Sequence, residues 1–148
     1  MLDRIAARRP ERVRRGIPAH VSLLYPFVDA VQVTPDLVAR LTEDCAGVRG
    51  LPVRFARAEA RPGIVLTGPE PAGPLAAVAR RLWAGWPEHP PYGGQYGPEP
   101  DLHVTLALGG SAGIAREAGR GLPVECVLGA AWLVELTAGG WRPRAELG

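Results

Sequence analysis

Two short stretches of this chain pair a histidine with a hydroxyl two residues further on. They are Ala19-His20-Val21-Ser22-Leu23 and Leu102-His103-Val104-Thr105-Leu106. Imidazole titrates near neutrality, so of two such rings one can be neutral while the other carries a proton. Rings that flank one reacting centre then supply a general base and a general acid, each contributing about 10²–10⁴-fold. The hydroxyls of Ser22 and Thr105 can donate to oxygens on which charge accumulates. Together the four groups suit in-line displacement at the phosphorus of a phosphodiester. The neutral ring takes the proton of the attacking oxygen, and the protonated ring gives one to the leaving oxygen. Such chemistry requires the two rings on opposite sides of the phosphate.

The elements that carry the motifs must position them. Each motif lies in a short apolar run, about Ala19–Leu24 and Leu102–Leu108, and such runs read as strands. In a strand residues i and i+2 share a face, about 6.7 Å apart. His20 and Ser22 thus share one face, with Val21 and Leu23 packing into a core, and the second motif behaves alike. By the same parity Tyr25 falls on the core face. The bland alternative, a histidine that merely hydrogen-bonds at a strand end, serves for one motif but not for two written alike. The chain has three histidines; the remaining one, His89, lies in a Pro-rich loop without such a partner and reads as a surface residue.

The rest of the chain alternates helices and strands. Leu2–Arg15 has apolar residues at roughly helical spacing, interrupted by Pro10. Thr34-Pro35-Asp36 announces a helix to about Cys45, with Leu37, Val38 and Leu41 as its buried stripe and Gly47 beyond. Leu51–Glu59 and Ile64–Thr67 read as strands around the turn Arg61-Pro62-Gly63. Gly73-Pro74 opens a second helix carrying Leu75, Val78, Leu82 and Trp86 inward. Pro87–Pro100 is a Pro- and Gly-rich loop holding Tyr92, Gln95 and Tyr96, and either tyrosine can stack on a base. A short helix over Ser111–Gly119 and strands over Leu122–Leu128, Ala131–Leu136 and Trp141–Glu146 follow, the last two joined by Gly139-Gly140. Pro143 makes the last an edge strand. Such a mixture is of the α+β class with antiparallel sheets.

Length and composition narrow the field. At 148 residues, 47% of them hydrophobic, the chain is a single domain able to bury a core. No run approaches a membrane span, and no signal-peptide pattern is present. Cys45 and Cys126 lack metal-ligand spacing and read as free, buried thiols of a cytoplasmic protein. No carboxylate set accompanies either motif histidine; Asp101 shares the face of His103 but stands alone, so neither a metal nor another cofactor is expected. Every charged base is arginine, and six fall within Met1–Arg15. A solvated helix face explains them more simply than a phosphate-contacting arm.

Gly16–Phe27, Trp86–Gly94 and Asp101–Leu106 together resemble the 2H phosphoesterases, in particular the bacterial 2′-5′ RNA ligase-like or 2′,3′-cyclic phosphodiesterase branch. The resemblance runs in order from Arg15 to the C-terminus, with Ser22 where many members have Thr. It implies one domain over residues 1–148 with two lobes, the first motif at 19–24 in one and the second at 102–108 in the other. Antiparallel sheets would face across a central cleft, with helices outside. It implies hydrolysis of 2′,3′-cyclic phosphates of nucleotides or RNA ends, with 2′-5′ ligation as the reverse reaction. His20, Ser22, His103 and Thr105 would be the catalytic set, and Tyr92, Gln95 and Tyr96 substrate contacts. His103 would be the base and His20 the acid, an order the residues themselves leave open. Relatives usually open with an apolar strand that this sequence lacks before Leu2. The expectation is therefore an open N-terminal lobe edge, in a monomer or a weak dimer formed through that edge, unless the start lies upstream or Leu2–Arg15 covers it. Two other functions fit the same residues: a binding module for RNA or a phosphorylated ligand, and an enzyme acting on a cyclic phosphate unrelated to RNA.

Overall fold

The computed structural model describes residues 16–148, so the helical, Arg-rich stretch expected over Leu2–Arg15 lies outside the described residues. Helix α1 spans Pro35–Asp44 and begins as its residue types require: Thr34 Oγ1 accepts from Leu37 N at 3.2 Å, and Pro35 occupies the first turn. Helix α2, Gly73–Gly85, buries Leu75, Val78, Ala79 and Leu82 along one face, and Trp86 just beyond its end is buried too. Helix α3, Ala112–Gly119, is capped by Ser111, whose hydroxyl accepts from Ile114 N.

Eight strands form three antiparallel sheets among the described residues. Strand β1 (Pro52–Phe55) lies between β4 (Pro69–Glu70) and β6 (Val124–Val127). Strand β3 (Ile64–Thr67) lies between β2 (Glu59–Arg61) and β5 (Val104–Leu108). Strands β7 (Ala131–Thr137) and β8 (Gly140–Leu147) make a hairpin. The register of that hairpin shifts between Leu133 and Val134, and Val134 is the partner of Pro143. Proline has no N–H for the ladder, so a bulge there removes the need for one. The architecture is α+β, as the sequence implied.

Three apolar clusters hold these layers together. Val53 and Phe55 of β1 meet Val65, Val104, Leu106 and Ala107 of the neighbouring sheet and Ala118 of α3. Leu41 and Cys45 meet Leu82, Trp86 and Leu147, and Val48 meets Leu75 and Val78. Helices α1 and α2 are also tied by polar contacts. The Trp86 indole donates to Asp44 Oδ2 at 2.8 Å, and Arg40 lies over the Trp86 ring at 4.0 Å.

Several expectations need correction. The run Ala19–Leu24 is not a strand; it makes one isolated antiparallel bridge, Val21 with Val104. The reason lies in packing: the consecutive residues Leu23 and Leu24 both pack against the Leu41 cluster, which strand alternation forbids. Leu51–Glu59 divides into β1 and the start of β2, which belong to different sheets. No Gly or Pro between Val53 and Ala60 marks that crossover. Strand β5 starts at Val104, so His103 stands just before it, and the hairpin turn is Ala138-Gly139. Cys45 is buried, which pushes its thiol up to about 11, and the Asp44 charge adds to the effect. Cys126, by contrast, is exposed. His89 is half-buried, its ring edge-on to Phe27 at 5.0 Å.

Candidate active site

The bridge between Val21 and Val104 sets the two motifs side by side. In antiparallel pairing, one residue to each side of the bridge puts His20 opposite Thr105 and Ser22 opposite His103. Directly opposed Cβ atoms lie about 4.5–5.5 Å apart in such a pair, and diagonal ones about 7–8 Å. Val104 is buried and Val21 packs on the same cluster, so that register turns the two dyads away from the core. His20, Ser22, His103 and Thr105 are all half-buried, as groups on the floor of a surface site would be.

The two histidines are held in the same way. His20 Nδ1 lies 2.8 Å from the carbonyl oxygen of Pro18, and His103 Nδ1 lies 2.9 Å from that of Asp101. A carbonyl can only accept, so Nδ1 carries the proton in both rings and Nε2 is the atom left for chemistry. Each acceptor is two residues before its histidine. Sequence reasoning missed both partners, because every residue has a backbone carbonyl and nothing in a residue's type shows where it points.

The surroundings differ between the two halves. Asp101, whose carbonyl orients His103, has its carboxylate clamped by Arg61: both Nη atoms lie 3.2 Å from Oδ2. Arg61 also binds Glu59, which holds the Glu59 carboxyl below its usual range, and the same bond raises the guanidinium. The Asp101 carboxylate is thus a structural anchor. Among the described residues no three His, Cys, Asp or Glu side chains converge in metal-ligand fashion.

The first motif is held from two sides. The Trp83 indole of α2 donates to Leu23 O at 2.7 Å, one residue past Ser22. At its start Gly16 lies against β8, where a Cβ would fall 2.1 Å from Trp141 O, and its φ of +91° favours glycine. A carbonyl taken by an indole is also one that no longer needs a strand neighbour.

Tyr25 departs from the expected core position: it is 42% exposed, because the chain bends at Leu23 and Leu24 and leaves the extended course that the parity argument assumed. Its ring packs edge-on against Trp141 (centroids 5.8 Å apart) and Tyr92 (6.4 Å), and Tyr92 in turn against Tyr96 (5.4 Å). Tyr92 N–H donates to Tyr25 O at 2.6 Å, which joins the Pro-rich loop to the first motif. Tyr92 sits at φ +54°, unusual for a residue with a Cβ. Tyr96 is 62% exposed. Gln95 is exposed and gives its backbone N–H to Tyr92 O.

A family model described as the 2′-5′ RNA ligase superfamily matches residues 2–140. No curated protein sequence matches the chain. The match covers nearly the whole chain, which therefore belongs to the 2′-5′ RNA ligase, or 2H phosphoesterase, superfamily. Membership carries phosphoesterase- or ligase-type enzymatic potential. Among the described residues no helix is long and apolar enough to cross a membrane.

Proposed function

We propose that this superfamily member opens 2′,3′-cyclic phosphates of nucleotides or RNA ends, without a metal, by two-histidine acid–base catalysis. The observation that carries the reading is the matched tether of His20 and His103 beside the Val21–Val104 bridge. With Nδ1–H given to a backbone carbonyl, each ring presents Nε2 to a shared phosphate. One ring receives a proton there, and the other delivers one.

In this reading the phosphate lies in a cleft between two lobes. His103 Nε2 takes a proton from water as its oxygen bonds to phosphorus. His20 Nε2 gives a proton to the ribose oxygen as the P–O bond to it breaks, leaving a phosphomonoester and a free hydroxyl. The net change is addition of one water, and the rings end with their charges exchanged. Ser22 and Thr105 donate to the non-bridging oxygens, on which charge grows as phosphorus becomes five-coordinate. Tyr92, Gln95 and Tyr96 contact the nucleoside. Ligation uses the same two rings with the 5′-hydroxyl of a second strand in place of water: its oxygen bonds to phosphorus, the bond to the 3′-oxygen breaks, and a 2′-5′ linkage results. The protein works in the cytoplasm, where two unpaired thiols, one of them exposed, persist.

The test is incubation with the four nucleoside 2′,3′-cyclic phosphates and a short RNA ending in one, followed by product analysis. The expected product is a single phosphomonoester regioisomer. Absence of turnover on every substrate would overturn the assignment.

A further inference from the structure

The two histidine tethers are alike in geometry, but the carbonyls that accept them are fixed by different means. Pro18 O belongs to a residue whose ring locks φ, which removes one of its two soft torsions. Asp101 has no such ring, and it ends a stretch without helix or strand. Among the described residues, no backbone–backbone hydrogen bond holds residues 98–101. Two side-chain ties hold the stretch instead: Glu99 with Arg80 of α2 at 3.4 Å, and Asp101 with Arg61 at 3.2 Å.

The second tie acts on the peptide group that matters. The carbonyl that accepts from His103 joins Asp101 to Leu102, and a peptide group turns as one plane. Leu102 fixes one side of that plane by packing on the Val48, Leu75 and Val78 cluster. The Asp101 side chain fixes the other, with both Nη atoms of Arg61 on Oδ2. The guanidinium is itself held, since its Nε donates to Glu59 Oε1 at 2.8 Å. Its backbone is held too: Gly110, past the end of β5, lies so close that a Cβ there would fall 1.8 Å from Arg61 O. The register puts these groups beside the site. Glu59 is the partner of Leu66 and Leu66 of Thr105, so Glu59 and Arg61, two residues on, share the face on which Thr105 stands.

From this arrangement we infer that Arg61 is a positioning residue for His103 and acts through Asp101. The clamp aims the Asp101 carbonyl, and the carbonyl holds Nδ1–H so that Nε2 faces the phosphate. The inference rests on the reading of His103 as a proton carrier. Stability is not the purpose of the clamp: the side chains are 41% and 74% exposed, and exposed ion pairs contribute little. Orientation weighs more, because a misplacement of about 1 Å at a reacting group costs about 10²-fold in rate.

The experiment combines imidazole NMR with kinetics on the full chain. Long-range ¹H–¹⁵N spectra at about pH 8.5, where imidazole is neutral, report which ring nitrogen carries the proton. Wild-type His20 and His103 should both show Nδ1–H. Arg61→Gln and Asp101→Ala should each turn the His103 signal into a mixture of tautomers and leave that of His20 as it was. In both variants kcat on a cyclic phosphate should fall about tenfold with a smaller change in KM, and Tm by no more than about 4 °C. The double variant should be no worse than either single one, because both break the same tie. Arg80→Gln, which breaks the neighbouring tie to Glu99, should leave the His103 signal and kcat unchanged. A His103 signal unmoved in both clamp variants overturns the inference whatever the kinetics show. An equal effect of Arg80→Gln overturns it in favour of general anchoring of the loop. A moved His103 signal in a protein that turns over no cyclic phosphate keeps the clamp and refutes the catalytic reading.

Discussion

Replacing Trp83 with phenylalanine isolates the tie between helix α2 and the first motif. The indole N–H gives a 2.7 Å bond to Leu23 O, in the residue that follows Ser22. Phenylalanine keeps an aromatic ring on the helix but has no donor. Leu23 is half-buried, so water replaces the missing donor only in part. A net intramolecular hydrogen bond is worth about 0.5–1.5 kcal/mol, and stranding a buried acceptor about 1–3 kcal/mol. The smaller ring also buries less apolar surface, so the expected destabilisation is about 2 kcal/mol. For a domain of this length that lowers Tm by about 4–8 °C. The weakened tie acts on His20 and Ser22, so kcat on a cyclic phosphate should fall about tenfold with a smaller change in KM. Thermal unfolding and steady-state kinetics give these values, and hydrogen exchange locates the change. Exchange should quicken at residues 21–24 and stay as it was in β5. Unchanged Tm and unchanged exchange at residues 21–24 would refute the reasoning and leave apolar packing alone to place the first motif.

His20→Ala and His103→Ala should each lower turnover by about 10²–10⁴-fold with the fold kept, as circular dichroism would verify. Ser22→Ala and Thr105→Ala remove one charge-assisted hydrogen bond each and should cost about 10–150-fold in kcat/KM. The pH profile of kcat/KM should be bell-shaped, one limb needing a neutral imidazole and the other a protonated one. Activity should survive exhaustive chelation; loss restored by a divalent ion would indicate a metal mechanism. A thiol reagent at pH 8 should modify Cys126 in the native protein and Cys45 only after denaturation. Burial raises the Cys45 thiol from 9.0 to about 11, so its stabilising effect is complete below pH 9 and is lost as pH rises towards 11.

Residue types alone single out the candidate groups and most of the elements around them. Helix starts are legible because a capping hydroxyl followed by proline is a local signal, as at Thr34-Pro35. The start of β3 is legible because the turn Arg61-Pro62-Gly63 precedes it, and the inward face of α2 because burial imposes a helical period on its residues. Relations between distant backbone atoms, by contrast, exist only in the folded chain. The first motif looks like a strand by composition, yet its carbonyl at Leu23 is taken by an indole sixty residues away, so one bridge suffices. Strand parity assigns Tyr25 inward and the residue stands outward, because parity fails once the chain stops being extended. The carbonyls of Pro18 and Asp101, which take the Nδ1–H of each histidine, have no residue code at all. Side-chain types name the groups available for proton transfer; only the folded backbone aims them.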